Sequence, residues 1–300
     1  METIRLTKDF HIDSPTAVSL GKFDGFHIGH RLLINRILAK KKEGMKSVIF
    51  TFDFGEKKAL HTEAEREALL EKWGIDYLLI CPIGGEIMHM EASDFIRALL
   101  VGGLDMKYAA VGTDFRFGYR RGGDPSLLKS MEGELGFETD IIDKAQFDGE
   151  DISSTRIRDA LSMGRIDQVN RMLGFAWSVT GTVRHGRQLG RRLGMPTINI
   201  VPDVTKLLPP YGVYATKTRI AGEDFDGITN IGVKPTVGGD AIGIETYLFD
   251  LDKDLYGEEL TVRFYGFERP EQKFDDIDAL KKRIEKDVEW GRVFLGEDSI

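Results

Sequence analysis

Cysteine, long apolar runs and an excess of positive charge are all scarce in this sequence. Its 300 residues include one cysteine, Cys81, which excludes an intramolecular disulfide and a cysteine-based zinc site. No apolar run approaches the ~18–20 residues of a membrane helix, and the first residues lack the apolar core of a secretory signal. The net charge of −8 argues against a protein built to coat nucleic acid or an anionic membrane. We expect a cytoplasmic protein with neither nucleic acid nor membrane as a partner.

Two common nucleotide-binding signatures are also missing. Neither a Walker A string nor a G-x-G-x-x-G fingerprint occurs, so the sequence gives no support to a P-loop or a standard dinucleotide site. The composition is otherwise that of a globular protein, with 41% apolar and 30% charged residues. Because domains commonly run to ~100–200 residues, a chain of this length predicts two of them.

The first half of the chain alternates short apolar runs with longer amphipathic ones. The predicted strands are 17–20, 47–52, 77–81, 109–111 and 137–142. Strands that alternate with helices favour a parallel, doubly wound α/β sheet. Two short helices, around 155–162 and 167–173, complete a predicted domain that spans residues 1–174.

After Gly174 the pattern changes to strands without intervening helices. The strand-like runs are 177–183, 212–220, 227–233, 244–249 and 260–267, and Gly, Pro and Asp are frequent between them. This pattern predicts an antiparallel sheet or barrel. Ile277, Leu280, Ile284 and Val288 recur at helical spacing and predict a terminal helix. The second predicted domain therefore spans residues 175–300.

The segment from Gly21 to His30 reads GKFDGFHIGH and lies between the first predicted strand and helix. Open α/β sheets bind ligands at this edge, glycines let the backbone approach a phosphate, and a helix N-terminus presents free N–H groups. His27 and His30 share one face of the helix start, where both can donate to phosphate oxygens. The alternative is a glycine-rich turn with locally satisfied histidines, which the complete string makes less favourable. The candidate phosphate-site residues are Gly21, Phe23, Asp24, Gly25, His27, Gly29 and His30.

Two further N-terminal segments carry candidate residues. In Ile152–Arg158, Ser154 and Thr155 precede a helical run, so they either cap the helix or contact a triphosphate that Arg158 neutralises. The loop after residue 111 mixes arginines, glycines and aromatics, including Asp114, Phe115 and Phe117. Such a loop either binds a planar ring and a phosphate or is a solvated surface loop.

The C-terminal half offers a basic loop followed by polar strand residues. Residues 184–194 read RHGRQLGRRLG, which fits a phosphate-binding loop or a solvated basic one. Thr197 and Asn199 are two apart on a predicted strand, so they share a face and offer oxygen ligands of the kind that suit Mg²⁺. Glu245 follows the Asn230–Thr236 segment and is a candidate general base, although an isolated strand glutamate is more often solvent-facing.

Together these strings resemble a known family over nearly the whole chain. H-x-G-H and I-S-S-T-x-x-R resemble the nucleotide site of the nucleotidyltransferase superfamily. G-x-x-x-G-R-x-L-G-x-P-T-x-N, at residues 186–199, resembles the nucleotide site of a flavokinase. The chain thus looks like the bacterial bifunctional riboflavin kinase/FAD synthetase family. That resemblance implies an FMN adenylyltransferase domain followed by a β-barrel riboflavin kinase domain.

The resemblance also implies ligands and residue roles. ATP is the co-substrate with Mg²⁺ as cofactor, and riboflavin, FMN and FAD are substrates or products; a weak homo-oligomer is left open. The implied catalytic residues are Glu245, His27, His30 and Arg158. The implied ATP-binding residues are the phosphate-site residues above with Ser154, Thr155, Arg158, Gly186, Gly190, Arg191, Gly194, Pro196, Thr197 and Asn199. The implied flavin-binding residues are Asp114, Phe115, Phe117, Asn230 and Glu245, and Thr197 and Asn199 are the implied metal ligands.

Two alternatives remain at this point. Residues 51–56 read TFDFGE where the family commonly has a His-Pro pair, which motivates a riboflavin kinase with an inefficient or silent adenylyltransferase module. A flavin- or nucleotide-binding regulator without turnover is the alternative from another class, because folds can keep a site after losing its chemistry.

Overall fold

The structure is a computed structural model that describes residues 1–6, 10–82, 84–185, 194–236, 239–251 and 253–297. Side chains are not described at residues 234–241 and 297. The chain divides into two compact units, Met1–Ser154 and Thr155–Ile300. Among the described residues, no helix has both the length and the apolar character needed to cross a bilayer.

The first unit contains a six-stranded, all-parallel sheet in the order β1-β4-β3-β2-β5-β6. The strands are β1 (Glu2–Arg5), β2 (Thr16–Leu20), β3 (Lys46–Phe52), β4 (Tyr77–Cys81), β5 (Met106–Gly112) and β6 (Glu138–Ile142). The predicted doubly wound sheet is confirmed. The sequence pattern missed β1 because this edge strand is exposed along most of its length and has no buried run.

Helices connect the successive strands from β2 to β6, as parallel crossovers require. They are α1 (Ile28–Ala39), α2 (Glu63–Lys72), α3 (Ala92–Asp94), which continues as a π-helical segment over Phe95–Gly103, and α4 (Pro125–Leu135). A short hairpin, β7 (Gln146–Phe147) and β8 (Glu150–Asp151), follows β6. The central strand β2 is buried at every residue, so its carboxyl end fixes the position of the loop before α1.

The second unit is a closed antiparallel barrel in the order β10-β13-β12-β11-β14-β9. Its strands are β9 (Ser178–Arg184), β10 (Thr197–Ile200), β11 (Gly212–Ile220), β12 (Glu223–Thr236), β13 (Gly239–Leu248) and β14 (Glu259–Pro270). The helices are α5 (Ser154–Ser162) and α6 (Ile166–Leu173) before the barrel and α7 (Ile277–Glu297) after it. The predicted barrel and terminal helix are confirmed.

The helix α6 lies in the compact unit of the barrel. Asn170 donates from Nδ2 to the Phe264 carbonyl at 2.8 Å, and its Oδ1 accepts from the Trp177 amide at 2.7 Å. These two bonds attach α6 to β14 and to the entry of β9. Whether 1–174 and 175–300 are domains that fold separately is not tested by such contacts, and these bounds stay a prediction.

Candidate active sites

The loop between β2 and α1 has an unusual backbone. Phe23 and Phe26 have positive φ angles of 50° and 40°, and Gly25 between them has 92°. Left-handed backbone is costly for residues with a large side chain, and it persists where the surroundings enforce it, often at functional sites. Here the two phenyl rings are 0% and 1% exposed, and their centroids lie 5.9 Å apart. Burial of both rings therefore holds the loop backbone in this conformation.

His27 and His30 lie side by side at the start of α1. Their rings stack with centroids 3.7 Å apart and planes at 21°, and His27 Nδ1 accepts from the His30 backbone amide at 3.4 Å. His27 is thereby the N-cap of α1. A Cβ on Gly29 would lie 3.1 Å from the His27 ring, so glycine leaves the room that the ring occupies. The predicted pairing of the two imidazoles on one face is present in the structure.

Both imidazoles are neutral at pH 7. Burial lowers the pKa of His27 to about 4, although the carboxylate of Asp114 acts in the opposite direction. Burial also lowers the pKa of His30 well below its usual value, and the neighbouring His27 lowers it further. Within the described part of the chain, His30 Nδ1 is buried and has no hydrogen-bond partner. A buried polar atom of this kind fits a site whose partner belongs to a ligand.

Asp24, a residue of this loop, forms hydrogen bonds that connect the loop to Leu60 and Ser154. The Asp24 side chain is buried, and its Oδ1 accepts from the Leu60 amide at 2.9 Å. The Ser154 hydroxyl donates to the Asp24 backbone carbonyl at 2.6 Å. The structure thus brings the serine of the I-S-S-T-x-x-R string to the loop before α1. Thr155 and Arg158 lie on α5 in the second unit, and their predicted contact with ATP remains a prediction.

The loop that follows β5 carries the other predicted flavin residues of this unit. Asp114 pairs with Lys144 at 3.0 Å, and it is the carboxylate that acts on the pKa of His27. Phe115 and Phe117 stack with ring centroids 5.4 Å apart and planes at 17°. Phe117 is only 4% exposed and belongs to the core, whereas Phe115 is half-buried. Phe115 is therefore the ring of the two with surface left for a ligand.

In the barrel, strand register places three predicted site residues in one row. Asn199 of β10 pairs directly with Glu245 of β13, and Glu245 pairs with Asn230 of β12. Residues paired across strands share a face, with Cβ atoms about 4.5–5.5 Å apart. Glu245 accordingly lies between two amide side chains. The sequence analysis proposed each of these three residues as a site residue from a separate segment. The strand register shows that they are neighbours.

A cavity of about 350 Å³ borders this row, a volume within the range of small-molecule sites. Asn230, Glu245 and Thr197 line it from the barrel. The sequence reasoning missed six further lining residues, namely Tyr247 of β13, Arg269 of β14, Glu271, Gln272, Phe274 and Asp287 of α7. The predicted apolar face of α7 was the one sequence feature that pointed to this part of the cavity, because its residues Leu280 and Ile284 also line the cavity.

A second, smaller hollow of about 60 Å³ also borders β10, and it is lined by residues predicted to bind ATP. Pro196, Thr197 and Asn199 line it together with Asp254 and Tyr256. Thr197 borders both this hollow and the larger cavity. One hydroxyl and one amide oxygen fit Mg²⁺, which binds through few protein ligands and takes waters and substrate phosphates as the rest. The described residues contain no cluster of three or more His, Cys, Asp or Glu side chains that could hold a metal unaided.

The predicted phosphate-binding loop, residues 184–194, is described only at its two ends. Gly186, Gly190 and Arg191 lie outside the described residues. Gly194, where the description resumes, is exposed and has a φ of 80°. Any side chain would be strained in this conformation, although a Cβ there would meet no neighbouring atom.

Comparisons with known proteins agree with this two-part architecture. Residues 9–156 match the FAD synthetase family model, and residues 173–295 match the riboflavin kinase family model. Two similar relatives are bifunctional riboflavin kinase/FMN adenylyltransferases. The one from Listeria monocytogenes is 33% identical over 99% of both chains. The one from Escherichia coli K12 is 36% identical over 93% of this chain and 92% of its own.

A crystal structure from Streptococcus pneumoniae has the same fold over almost the full length. That protein is titled a macrolide-efflux protein, and it is 29% identical with a TM-score of 0.85, covering 97% of this chain and 98% of its own. Since the matches to named relatives extend through both compact units, a two-activity family is favoured over a kinase alone. The chain belongs to the bifunctional riboflavin kinase/FMN adenylyltransferase family.

Proposed function

We propose that this protein makes FAD from riboflavin in two ATP-dependent steps. The barrel phosphorylates riboflavin to FMN, and the first unit adenylylates FMN to FAD with release of pyrophosphate. The observation that carries the proposal is the Asn199–Glu245–Asn230 row at the edge of a cavity of suitable size, in a chain of this family.

In the kinase step, Glu245 is the general base. Its carboxylate accepts the proton of the riboflavin 5′-hydroxyl while that oxygen attacks the γ-phosphorus of ATP, and ADP leaves. Asn230 pairs with Glu245 across the strands, and this neighbour position supports a role in orienting the hydroxyl-bearing chain of the substrate. Thr197 and Asn199 would hold Mg²⁺, whose charge offsets that of the triphosphate during transfer.

In the adenylyltransferase step, His27 and His30 bind the ATP phosphates. A neutral imidazole carries one N–H, and because His27 Nδ1 accepts from a backbone amide, its proton is on Nε2 and available to a phosphate oxygen. The FMN phosphate attacks the α-phosphorus in line, and the bond to pyrophosphate breaks. The histidines and the N-terminus of α1 stabilise charge that develops on the leaving group.

The remaining predicted residues assist at these sites. Phe115 offers a half-buried ring to the flavin, next to Asp114 and the core residue Phe117. Ser154 supports the loop through its bond to Asp24. The family string assigns Thr155 and Arg158 to ATP, with Arg158 neutralising phosphate charge.

The test is a time course with purified protein, riboflavin, ATP and Mg²⁺, in which riboflavin, FMN and FAD are separated by chromatography. We expect FMN to appear first and then to give way to FAD, and omission of Mg²⁺ to stop the first step. FMN without FAD would leave a riboflavin kinase with a silent adenylyltransferase module. No conversion at all would leave a binding protein and contradict both activities.

A further inference from the structure

A buried ion pair forms part of the wall of the barrel cavity. Arg269, near the end of β14, donates from Nε and Nη2 to the two carboxylate oxygens of Asp287 on α7, at 2.9 and 2.6 Å. Their side chains are 10% and 1% exposed. Both residues line the cavity that Glu245 borders. The pair therefore lies at the proposed flavin site and is almost completely removed from solvent.

This pair belongs to a chain of alternating charges between β14 and α7. Arg283 Nε lies 2.9 Å from Asp287 Oδ1, and Arg283 Nη2 donates to Glu268 Oε1 at 2.9 Å. The two acids and two bases balance in charge. A buried ion pair adds little net stability compared with apolar residues of similar size, but its two-point geometry is strongly directional. Such a pair therefore contributes to the orientation of α7 on the barrel more than to the free energy of unfolding.

Asp287 interrupts the apolar face of α7. It lies seven residues after Leu280 and three after Ile284, so all three share one side of the helix, and all three line the cavity. Apolar contacts alone would leave the helix free to slide or rotate slightly against the barrel. A single carboxylate with one bidentate partner on β14 allows only one register.

Arg269 also holds the segment that joins β14 to α7. Its Nη1 donates to the Pro270 carbonyl at 3.1 Å, and its guanidinium carbon lies 5.9 Å from the centre of the Phe274 ring. Phe274 lines the cavity as well. One side chain thus pairs with the helix and also lies beside the aromatic residue that precedes it.

We propose that Arg269 and Asp287 are positioning residues for riboflavin. The pair holds the wall of Phe274, Leu280 and Ile284 at a set distance from Glu245, and so shapes the cavity to the flavin. This proposal rests on the riboflavin kinase activity proposed above. Neither residue lines the smaller hollow that borders β10, so the effect is confined to the flavin.

The decisive variant replaces both partners, Arg269→Met together with Asp287→Leu. The double variant removes the Arg269–Asp287 pair as a whole and leaves Arg283 its second partner, Glu268, so we expect the fold to be retained. We expect the KM for riboflavin to rise about tenfold, while the KM for ATP and kcat stay within about twofold of the wild type. The conservative Arg269→Lys variant keeps the charge but loses the two-point geometry. Its KM for riboflavin should therefore lie between that of the wild type and that of the double variant. Melting curves identify any variant whose fold is damaged.

The same helix offers a matched control. Arg292 of α7 makes a similar bidentate pair with Asp250, from Nη1 and Nη2 at 2.8 and 2.9 Å. This pair is exposed, and neither residue lines the cavity. Arg292→Lys should therefore leave the riboflavin KM unchanged. Conversion of FMN to FAD, measured on each variant, is an internal control and should also be unchanged.

Three outcomes would overturn the positioning role: a wild-type riboflavin KM in the double variant, an equal rise in the KM for ATP, or a fall in kcat alone. A wild-type protein that does not phosphorylate riboflavin would contradict the proposed function instead. Quenching of riboflavin fluorescence would then test the pair by itself. A Kd raised about tenfold in the double variant would support it, and an unchanged Kd would refute it.

Discussion

The two candidate sites of this chain are built in different ways. The proposed adenylyltransferase site is local, since Phe23, Gly25, His27 and His30 lie within one loop and one helix turn. Its geometry comes from positive φ angles, two buried rings and a glycine that leaves room for an imidazole. The proposed kinase site is assembled across strands, because Asn199, Glu245 and Asn230 meet only through the register of β10, β13 and β12.

This difference has a consequence for how each site fails. A local site depends on backbone conformation and on the environment of its side chains, including their protonation. A site set by register depends on strands that are fixed by many other contacts, so single side chains in it can be changed without moving the rest. Substitutions in one site should therefore leave the other reaction intact.

The largest expected effect is a crossover between two variants. Glu245→Gln keeps the size of the side chain but removes the base, so riboflavin phosphorylation should fall by about 10²–10⁴-fold while FMN adenylylation is unchanged. His27→Asn keeps a good helix N-cap but removes the imidazole. Adenylylation should then fall by about 100-fold while phosphorylation is unchanged. Initial rates with riboflavin or FMN as the sole flavin measure the two steps; loss of both reactions in either variant would contradict independent sites.

The local site should also respond to pH, because its imidazoles are buried. The pKa of His27 is about 4 in the folded protein and near 6.5 in the unfolded chain. Between these values the unfolded chain binds a proton that the folded protein excludes. The free energy of unfolding should therefore be unaffected by His27 above pH 6.5 and fall by up to about 3 kcal/mol as the pH drops towards 4.

Urea unfolding of the wild type and of His27→Asn, at several pH values from 7 to 4.5, checks this. The carboxylates are the same in both proteins, so their shared acid sensitivity cancels in the difference. The wild type should lose stability more steeply than the variant on acidification. Parallel curves would mean that His27 is not held neutral by burial.

The same local-versus-register difference explains what could be read from the sequence. The string from Gly21 to His30 forms one loop and one helix start, so the pairing of its two histidines on one face was predictable, whereas their contact with phosphate stays a prediction. The wall of the kinase cavity was not, because helical spacing indicates that Leu280 and Ile284 share a face but not what that face meets. Phe117 illustrates a second limit, since an aromatic residue in a loop has the same pattern whether it packs in the core or meets a ligand.

The smallest expected effect tests the backbone side of the local site. Alanine at Gly29 would place its Cβ 3.1 Å from the His27 ring, although alanine is the better helix former by about 1 kcal/mol. Gly29→Ala should therefore fold normally, displace the imidazole and slow FMN adenylylation by about tenfold. Gly133→Ala in α4 is the matched control, because a Cβ there meets no neighbouring atom. Phosphorylation of riboflavin should be unchanged in both variants. If Gly29→Ala adenylylates FMN at the wild-type rate, the position of the His27 ring does not limit the reaction, and the site tolerates more movement than its packing indicates.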